Sequence, residues 1–348
     1  MKHLRVVGSG LIGTSIALGL KNSSYVMTMI DSDPARQKLA QALVGESSDQ
    51  PVDLVLIACP LEKFKEVIAA EFALNPKALF IDIGSVKSKP QREVDSIPGL
   101  SSKFCGSHPM AGREVSGPQG ARADLFQGRS WVYSPSPDSS NEVVTALVEI
   151  IAALGAVPIR LDPATHDEAV ALVSHLPQII SSLLARTLRG AQESTLALSG
   201  SGLTDTTRIA GSDPGLWQEI ISANNAQIRP LLESVVADLQ VLIDGLGDES
   251  VVHGFIESGR SARQLIPGKH GGRHRDYHYL PIVIEDKAGQ LAQLFAECAQ
   301  AQVNVEDLAI EHSPGQFTGL ITLALSQSDA LKLSEHLKAN GWSVHPSR

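Results

Sequence analysis

Several polar residues stand where ordinary packing gives them no reason to be. His108 lies in Gly106-Ser107-His108-Pro109-Met110-Ala111-Gly112, at the end of an apolar run. Flanking Gly and Pro pin the backbone there, and a neutral imidazole on such a corner can take a hydroxyl proton while hydride leaves the same carbon. Asp82-Ile83-Gly84-Ser85-Val86-Lys87 closes another apolar run with a hydroxyl, so Ser85 either faces a ligand crevice or caps a turn. His175 shares a stripe with Leu172, Leu176 and Ile179, the pattern of a core histidine. Pro177 alters that reading: it removes one helical bond, to Val173, and bends the helix where a side chain must aim into a site. Further on, Asp205 and Arg208 stand among threonines ahead of Trp217, and such an arginine suits either a bidentate carboxylate or a surface ion pair.

Hydride chemistry needs an acceptor. Gly8-Ser9-Gly10-Leu11-Ile12-Gly13 follows the first predicted strand directly and opens a helix through Ile16 and Leu20. In that context Gly8 permits the tight turn, Gly10 clears the path of a pyrophosphate, and Gly13 lets helix and strand pack closely. The first helical amides, around Leu11 and Ile12, then hold the diphosphate. Asp31 comes eighteen residues beyond Gly13, at the end of the second strand. A carboxylate there accepts from both ribose hydroxyls and repels a 2′-phosphate, which favours NAD over NADP. Asp33 precedes Pro34 and reads as a helix cap, while Arg36 keeps a phosphate contact open.

These residues need elements to hold them. Strands are predicted at Leu4–Val7, Tyr25–Ile30, Leu54–Ala58, Ala78–Ile83, Lys103–Gly106 and Ser130–Tyr133, alternating with helices as in a doubly wound parallel sheet. From Asp162 to Gly247 strand signals vanish, and stripes such as Leu231, Leu232, Val235, Val236, Leu239, Leu242 and Ile243 are broad enough to bury a second copy of the chain. Gly, Pro and basic residues then break all periodicity before a β-α-β-β-α-β tail. The expected architecture is α/β: a Rossmann-like domain (1–161), an all-α domain for substrate and dimerisation (162–256), a linker (257–277) and a ferredoxin-like α+β domain (278–348). The length of 348 residues accommodates this division.

Composition narrows the partners. A net charge of −9 argues against nucleic acid or anionic lipid, and 43% hydrophobic residues suit a folded globular chain. The three cysteines, Cys59, Cys105 and Cys298, read as buried thiols of a reducing compartment, with no disulfide framework and no metal site expected. Met1–Arg5 followed by an apolar stretch imitates a secretory signal, but Gly8, Gly10 and Gly13 interrupt it. No apolar run approaches the length of a membrane span, and a cytoplasmic location is expected.

Taken together, the glycine loop, Asp82 to Lys87, Ser107 to Gly112, Ser174-His175-Leu176-Pro177 and Thr207-Arg208-Ile209-Ala210 make the chain resemble the prephenate/arogenate dehydrogenase family, in the version with a C-terminal ACT domain. The resemblance implies that His108 accepts the ring hydroxyl proton, that Ser85 orients both, and that Arg208 holds a substrate carboxylate with His175 as a second contact. Trp217 joins the substrate residues. Some members have His where this chain has Gln178, which bears on keto versus amino substrate; Asp205 offers an acceptor for arogenate's ammonium or an orienting partner for Arg208. Prephenate is favoured over arogenate. The tail resembles ACT domains through Asp286 to Leu291 and Asn304 to Asp307, so Gly289, Leu291 and Asn304 become candidate regulatory residues, with tyrosine as effector and a homodimer as the assembly. The rival readings are a hydroxyacid dehydrogenase with an ACT tail, which usually carries its glycine loop mid-sequence, and a non-catalytic sensor of NAD and an amino acid.

Overall fold

The computed structural model describes residues 1–113, 115, 117–266, 277–312 and 318–346. It divides into two compact units, Met1–Ala237 and Asp238–Arg348.

In the first unit, short aliphatic runs form a seven-stranded sheet in the order β2-β1-β3-β4-β5-β6-β7. The elements are β1 (Lys2–Val7), α1 (Leu11–Gly19), β2 (Tyr25–Ile30), α2 (Pro34–Val44), β3 (Leu54–Ile57), α3 (Phe64–Leu74), β4 (Leu79–Asp82), α4 (Ser88–Asp95), β5 (Phe104–Pro109), β6 (Ser130–Ser134), α5 (Asn141–Ala153) and β7 (Val157–Arg160). All four residues of β3 are buried, because helices cover both faces of the sheet. Val7 pairs with Ile57 and Ile57 with Asp82, so β1, β3 and β4 end level with one another. Strand order reverses around β1, and the carboxyl rim at such a reversal is where a ligand crevice opens.

Two features depart from the expected parallel sheet. Strand β6 runs antiparallel to β5. Between them, the described residues of Met110–Arg129 contain no helix able to carry the chain back across the sheet, and a parallel pair requires such a crossover. Edge strand β7 was not predicted: it is four residues long, contains Pro158 and is exposed throughout, so it carries neither alternation nor a buried run.

The helical segment follows: α6 (Pro163–Val170), a π turn at Ala171–His175, α7 (Leu176–Arg186), α8 (Glu193–Leu196), α9 (Ser201–Thr207), α10 (Pro214–Ala223) and α11 (Asn225–Asp244). Asp162 starts it as an N-cap, accepting from the amides of Ala164 and Thr165, with Pro163 in the first turn. Contrary to the sequence expectation, the continuous helix Pro163–Arg186 is long and apolar enough to cross a membrane by length and composition. Averaged hydropathy passes over its buried polar stripe of His166, Asp167, His175 and Gln178, each hydrogen-bonded within the unit.

Beyond the unit boundary, which falls inside α11, comes α12 (Glu249–Arg263), capped by Asp248. It extends seven residues into the segment expected to be a linker. Arg260 donates to Glu257 at 2.7 and 2.8 Å one turn back, and Arg260 and Arg263 complement the helix C-terminus. The rest of that linker falls largely on 267–276, outside the described residues. The chain then forms β8 (His278–Glu285), α13 (Gln290–Gln300), β9 (Asp307–His312), β10 (Thr318–Leu325), α14 (Gln327–Ala339) and β11 (Ser343–Val344), an antiparallel sheet in the order β11-β8-β10-β9 over its own core of Leu280, Ile282, Leu294, Leu323 and Leu333.

Candidate active site

The glycine loop has the geometry of a dinucleotide cradle. Gly8 sits at φ +112°, where its amide donates to the Ile30 carbonyl at 2.8 Å, and a Cβ there would collide with the Ala58 carbonyl. A Cβ on Gly13 would collide with the Gly8 carbonyl, whereas one on Gly10 would meet nothing within 4 Å. Gly10 is also the N-cap of α1 and brings no side-chain cap, so the amides of the first turn of α1 are left without a capping side chain. At the tip of β2, half-buried Asp31 accepts through its enclosed carboxylate from the amides of Ser9 at 2.7 Å and Asp33 at 2.9 Å. Arg36 reaches it at 3.8 Å, and Asp33 caps α2 through the amides of Ala35 and Arg36. The open space at Gly10 and the carboxylate of Asp31 fit NAD.

Past the ends of β4 and β5 lies a buried polar network. Lys87, fully enclosed, donates to the Asp82 carboxylate and, at 2.6 Å, to the Ser107 carbonyl. Asp82 also accepts from the amides of Gly84 and Ser107, while the Ser107 hydroxyl donates to the Asp82 carbonyl at 2.6 Å. The backbone that carries His108 is thus clamped to the backbone that carries Ser85. Ser85 is half-buried, and among the described residues its hydroxyl makes no hydrogen bond.

His108 is partly exposed, and its Nδ1 lies 3.0 Å from Nε2 of His166. His166 Nδ1 in turn donates to Asp167 at 2.8 Å. Asp167 also accepts from the amides of Lys87 at 2.8 Å and Ser88 at 2.9 Å, at the start of α4. Asn224 Nδ2 donates to the Asp167 carbonyl at 2.8 Å and, with its other hydrogen, to Nδ1 of His175 at 3.1 Å. That bond leaves the hydrogen of neutral His175 on Nε2, as a donor. The His175 ring lies edge-on to Trp217, with centroids 6.0 Å apart. The π turn ends at His175, immediately before the bend expected from Pro177.

His166, Asp167 and Asn224 were not anticipated from sequence. The adjacent His166-Asp167 pair, just inside an Asp-Pro helix start, was a usable signal; Asn224 offered none. Gln178 is buried, and its amide donates to the Ile209 carbonyl at 2.9 Å and to Ser182 at 3.3 Å, which holds the turn carrying Arg208. Arg208 and Asp205 are both exposed, and among the described residues neither forms an ion pair, so the expected orienting contact between them is not made. In the C-terminal unit, Gly289 stands at φ +92° before α13 with open space around it, Leu291 is exposed, and Asn304 donates to Glu306 at 2.8 Å. Of the cysteines, Cys105 and Cys298 are buried but Cys59 is only partly so; burial pushes the Cys59 and Cys105 thiols up to about 12.

Burial holds the His108 imidazole well below its usual value, assisted by His166, Lys87 and His175 and opposed by Asp167. Burial likewise pushes His175 down to about 4, with Asp167 opposing and His166 assisting. Burial raises Asp167, but hydrogen bonds from His166 and from the amides of Lys87 and Ser88 outweigh it, and the carboxyl stays below its ordinary range. An unfolded histidine takes its proton near pH 6.5, whereas His175 in the fold waits until about 4. Protons therefore favour the unfolded chain across that window, and stability falls as pH drops from about 6.5 toward 4. Thermal melts are expected to show a flat Tm above that range and a decline within it, with a shallower decline in a His175→Asn variant.

The family models agree with this geometry. The nucleotide-binding domain of prephenate dehydrogenase matches residues 16–160, and the dimerisation domain of prephenate dehydrogenase matches residues 162–253. The chain belongs to the prephenate dehydrogenase family. A probable prephenate dehydrogenase of Streptomyces niveus, NovF, is 30% identical, with alignment over 99% of this chain and 100% of the relative. The crystal structure of prephenate dehydrogenase from A. aeolicus, in complex with hydroxyphenyl propionate and NAD+, superposes with a TM-score of 0.67 at 25% identity, covering 76% of this chain and 98% of that one. Synechocystis arogenate dehydrogenase gives 0.65 at 25% identity, covering 75% and 98%. The glycine loop at residues 8–13 precedes the region matched by the prephenate dehydrogenase nucleotide-binding model, and the second compact unit lies largely beyond the dimerisation model.

Proposed function

We propose that this chain catalyses the NAD-dependent oxidative decarboxylation of prephenate to 4-hydroxyphenylpyruvate. The observation that carries the reading is the partly exposed imidazole of His108, on the same sheet rim as the open cradle at Gly10 and tied by Nδ1 to His166, which leaves Nε2 to face a substrate. Bound at Gly8–Gly13 and Asp31, NAD supplies the hydride acceptor. His108 Nε2 takes the proton of the ring hydroxyl as hydride leaves the same carbon, and the carbinol becomes a ketone. The ring-bound carboxylate then leaves as CO2; its bonding electrons make the ring aromatic and place negative charge on oxygen, to which His108 returns the proton. Aromatisation makes the sequence irreversible, so the protein supplies mainly alignment and proton transfer.

The Ser85 hydroxyl, without a hydrogen bond among the described residues, orients the ring oxygen, His175 offers its Nε2 hydrogen to the substrate, and Trp217 walls that side. Arg208, exposed and among the described residues without an ion pair, holds a substrate carboxylate. Its removal in Arg208→Ala is expected to raise KM by about tenfold to a hundredfold, the ~1.5–3 kcal/mol of a charge-assisted hydrogen bond, with little effect on NAD binding. An unchanged KM places the carboxylate elsewhere.

One observation favours arogenate as a second reading: Asp205 is exposed and free to accept an ammonium. Prephenate remains preferred because relatives aligned over nearly the whole chain are named for it. Apolar side chains on α11, with Val236 and Val241 each 65% exposed in the single chain, support a homodimer. The β-α-β-β-α-β tail supports an ACT-like module through which tyrosine regulates the enzyme, and the cysteine usage supports a cytoplasmic setting. NADH formation, followed with prephenate and with arogenate, each with NAD or NADP and with or without tyrosine, tests substrate, cofactor and regulation together. Absence of turnover with both substrates overturns the reading.

A further inference from the structure

The buried pair His166-Asp167 is itself placed against neither the glycine loop nor substrate, yet it joins the two histidines that face substrate. With His166 neutral, its hydrogen bonds have one consistent direction. Asp167, a carboxylate already accepting from the amides of Lys87 and Ser88, accepts the Nδ1 hydrogen of His166 as well. In neutral His166 that leaves Nε2 as a lone pair, 3.0 Å from His108 Nδ1. His108 must then carry its hydrogen on Nδ1, and its Nε2 is the bare nitrogen. Through its carbonyl and Asn224, the same residue also determines which nitrogen of His175 is protonated.

We infer that His166 and Asp167 are positioning residues for proton transfer: Asp167 selects the tautomer that makes His108 a base, and the positive charge formed when His108 takes the alcohol proton is shared along the two rings toward the Asp167 carboxylate. This deepens the reading of His108 as the base and rests on it. The proton balance is closed, because the charge lasts only until the aromatic product's oxygen takes the proton back. The start of α4 suits this end of the relay, since two amides there hold a carboxylate that no lysine or arginine pairs with among the described residues.

Asp167→Asn, assayed in the full chain, keeps the shape but removes the charge and leaves one acceptor oxygen for three donors, the amides of Lys87 and Ser88 and the Nδ1 hydrogen of His166, so the hold on the His166 tautomer weakens. The expected result is a fall in kcat of about 10²- to 10³-fold, with KM for prephenate and Kd for NAD within about threefold of the parent chain. The groups facing His108 are His166 and Asp167 from α6, His175 from the π turn, and Lys87, itself paired with Asp82, from the loop after β4. Asp167 alone among these favours the protonated ring, so its neutralisation is expected to move the acid limb of the kcat/KM profile to lower pH. His166→Gln leaves Asp167 on its two amides and still presents an acceptor to His108 Nδ1, so it should retain more kcat than His166→Leu.

Near-parental kcat in Asp167→Asn overturns the relay. A fallen kcat with an unmoved acid limb, or with NAD binding lost alongside, assigns the pair a purely structural role and also overturns it. Failure of the underlying reading is distinct: there, His108→Asn itself retains turnover.

Discussion

Replacing His108 with asparagine lowers kcat by about 10²- to 10⁴-fold, ~2.7–5.4 kcal/mol of transition-state stabilisation, the usual worth of a positioned acid or base. The side chain is suited to this comparison because its surroundings are built without it: Lys87 clamps the Ser107 carbonyl, and Asp82 receives the Ser107 amide. The strand end therefore persists in the variant, and the asparagine amide can still donate to His166. What disappears is a nitrogen able to take a proton. NAD affinity, measured by fluorescence titration, is expected to stay unchanged, since the glycine loop joins β1 to α1 and Asp31 follows β2, all apart from the end of β5. Turnover within tenfold of the parent chain would remove His108 from the chemistry.

The glycine loop yields a contrast of comparable size. Gly10→Val is expected to fold normally and to bind NAD about 10²- to 10⁴-fold more weakly. Gly10 occupies ordinary extended backbone, at φ −76° and ψ −167°, and a Cβ there finds open space, so valine is tolerated until a diphosphate needs that volume. The loss corresponds to about two charge-assisted hydrogen bonds from the α1 amides. Gly13→Val does the reverse. Its Cβ runs into the Gly8 carbonyl, and Gly8 cannot retreat because its amide is bonded to Ile30 and its Cα abuts Ala58. Overpacking of ~2–3 kcal/mol lowers Tm by roughly 5–10 °C, read by calorimetry before any ligand is added. Equal Tm in the two variants would show that Gly13 is not a packing residue.

Residues of the cradle were legible because each has a local reason: the glycines answer to backbone clearance, Asp31 to a strand end, Asp33 to a proline-started helix. His108 and His175 were legible for the same reason, through the Gly and Pro beside them. His166, Asp167 and Asn224 were not read, since their meaning arises only when α6, α4 and the end of α10 meet; the His-Asp pair beside an Asp-Pro helix start hinted at it, and nothing around Asn224 did. Gln178 shows the opposite case: its position in a motif pointed toward substrate, whereas its amide steadies the turn at Ile209. Among the elements, β7 escaped notice because an exposed four-residue edge carries no hydrophobic pattern, and the reversed β6 because strand direction depends on the connection rather than on the strand.

The π turn has a rotational consequence. Nine positions separate His166 from His175. On an unbroken α-helix, at about 100° per residue, that interval places two side chains roughly 180° apart, pointing away from each other. A wider turn absorbs about one residue, so the interval behaves as eight and the two rings come to within roughly 80° around the axis. One surplus residue in the winding is what allows Asn224 to reach both the Asp167 carbonyl and the His175 ring from a single side of the helix.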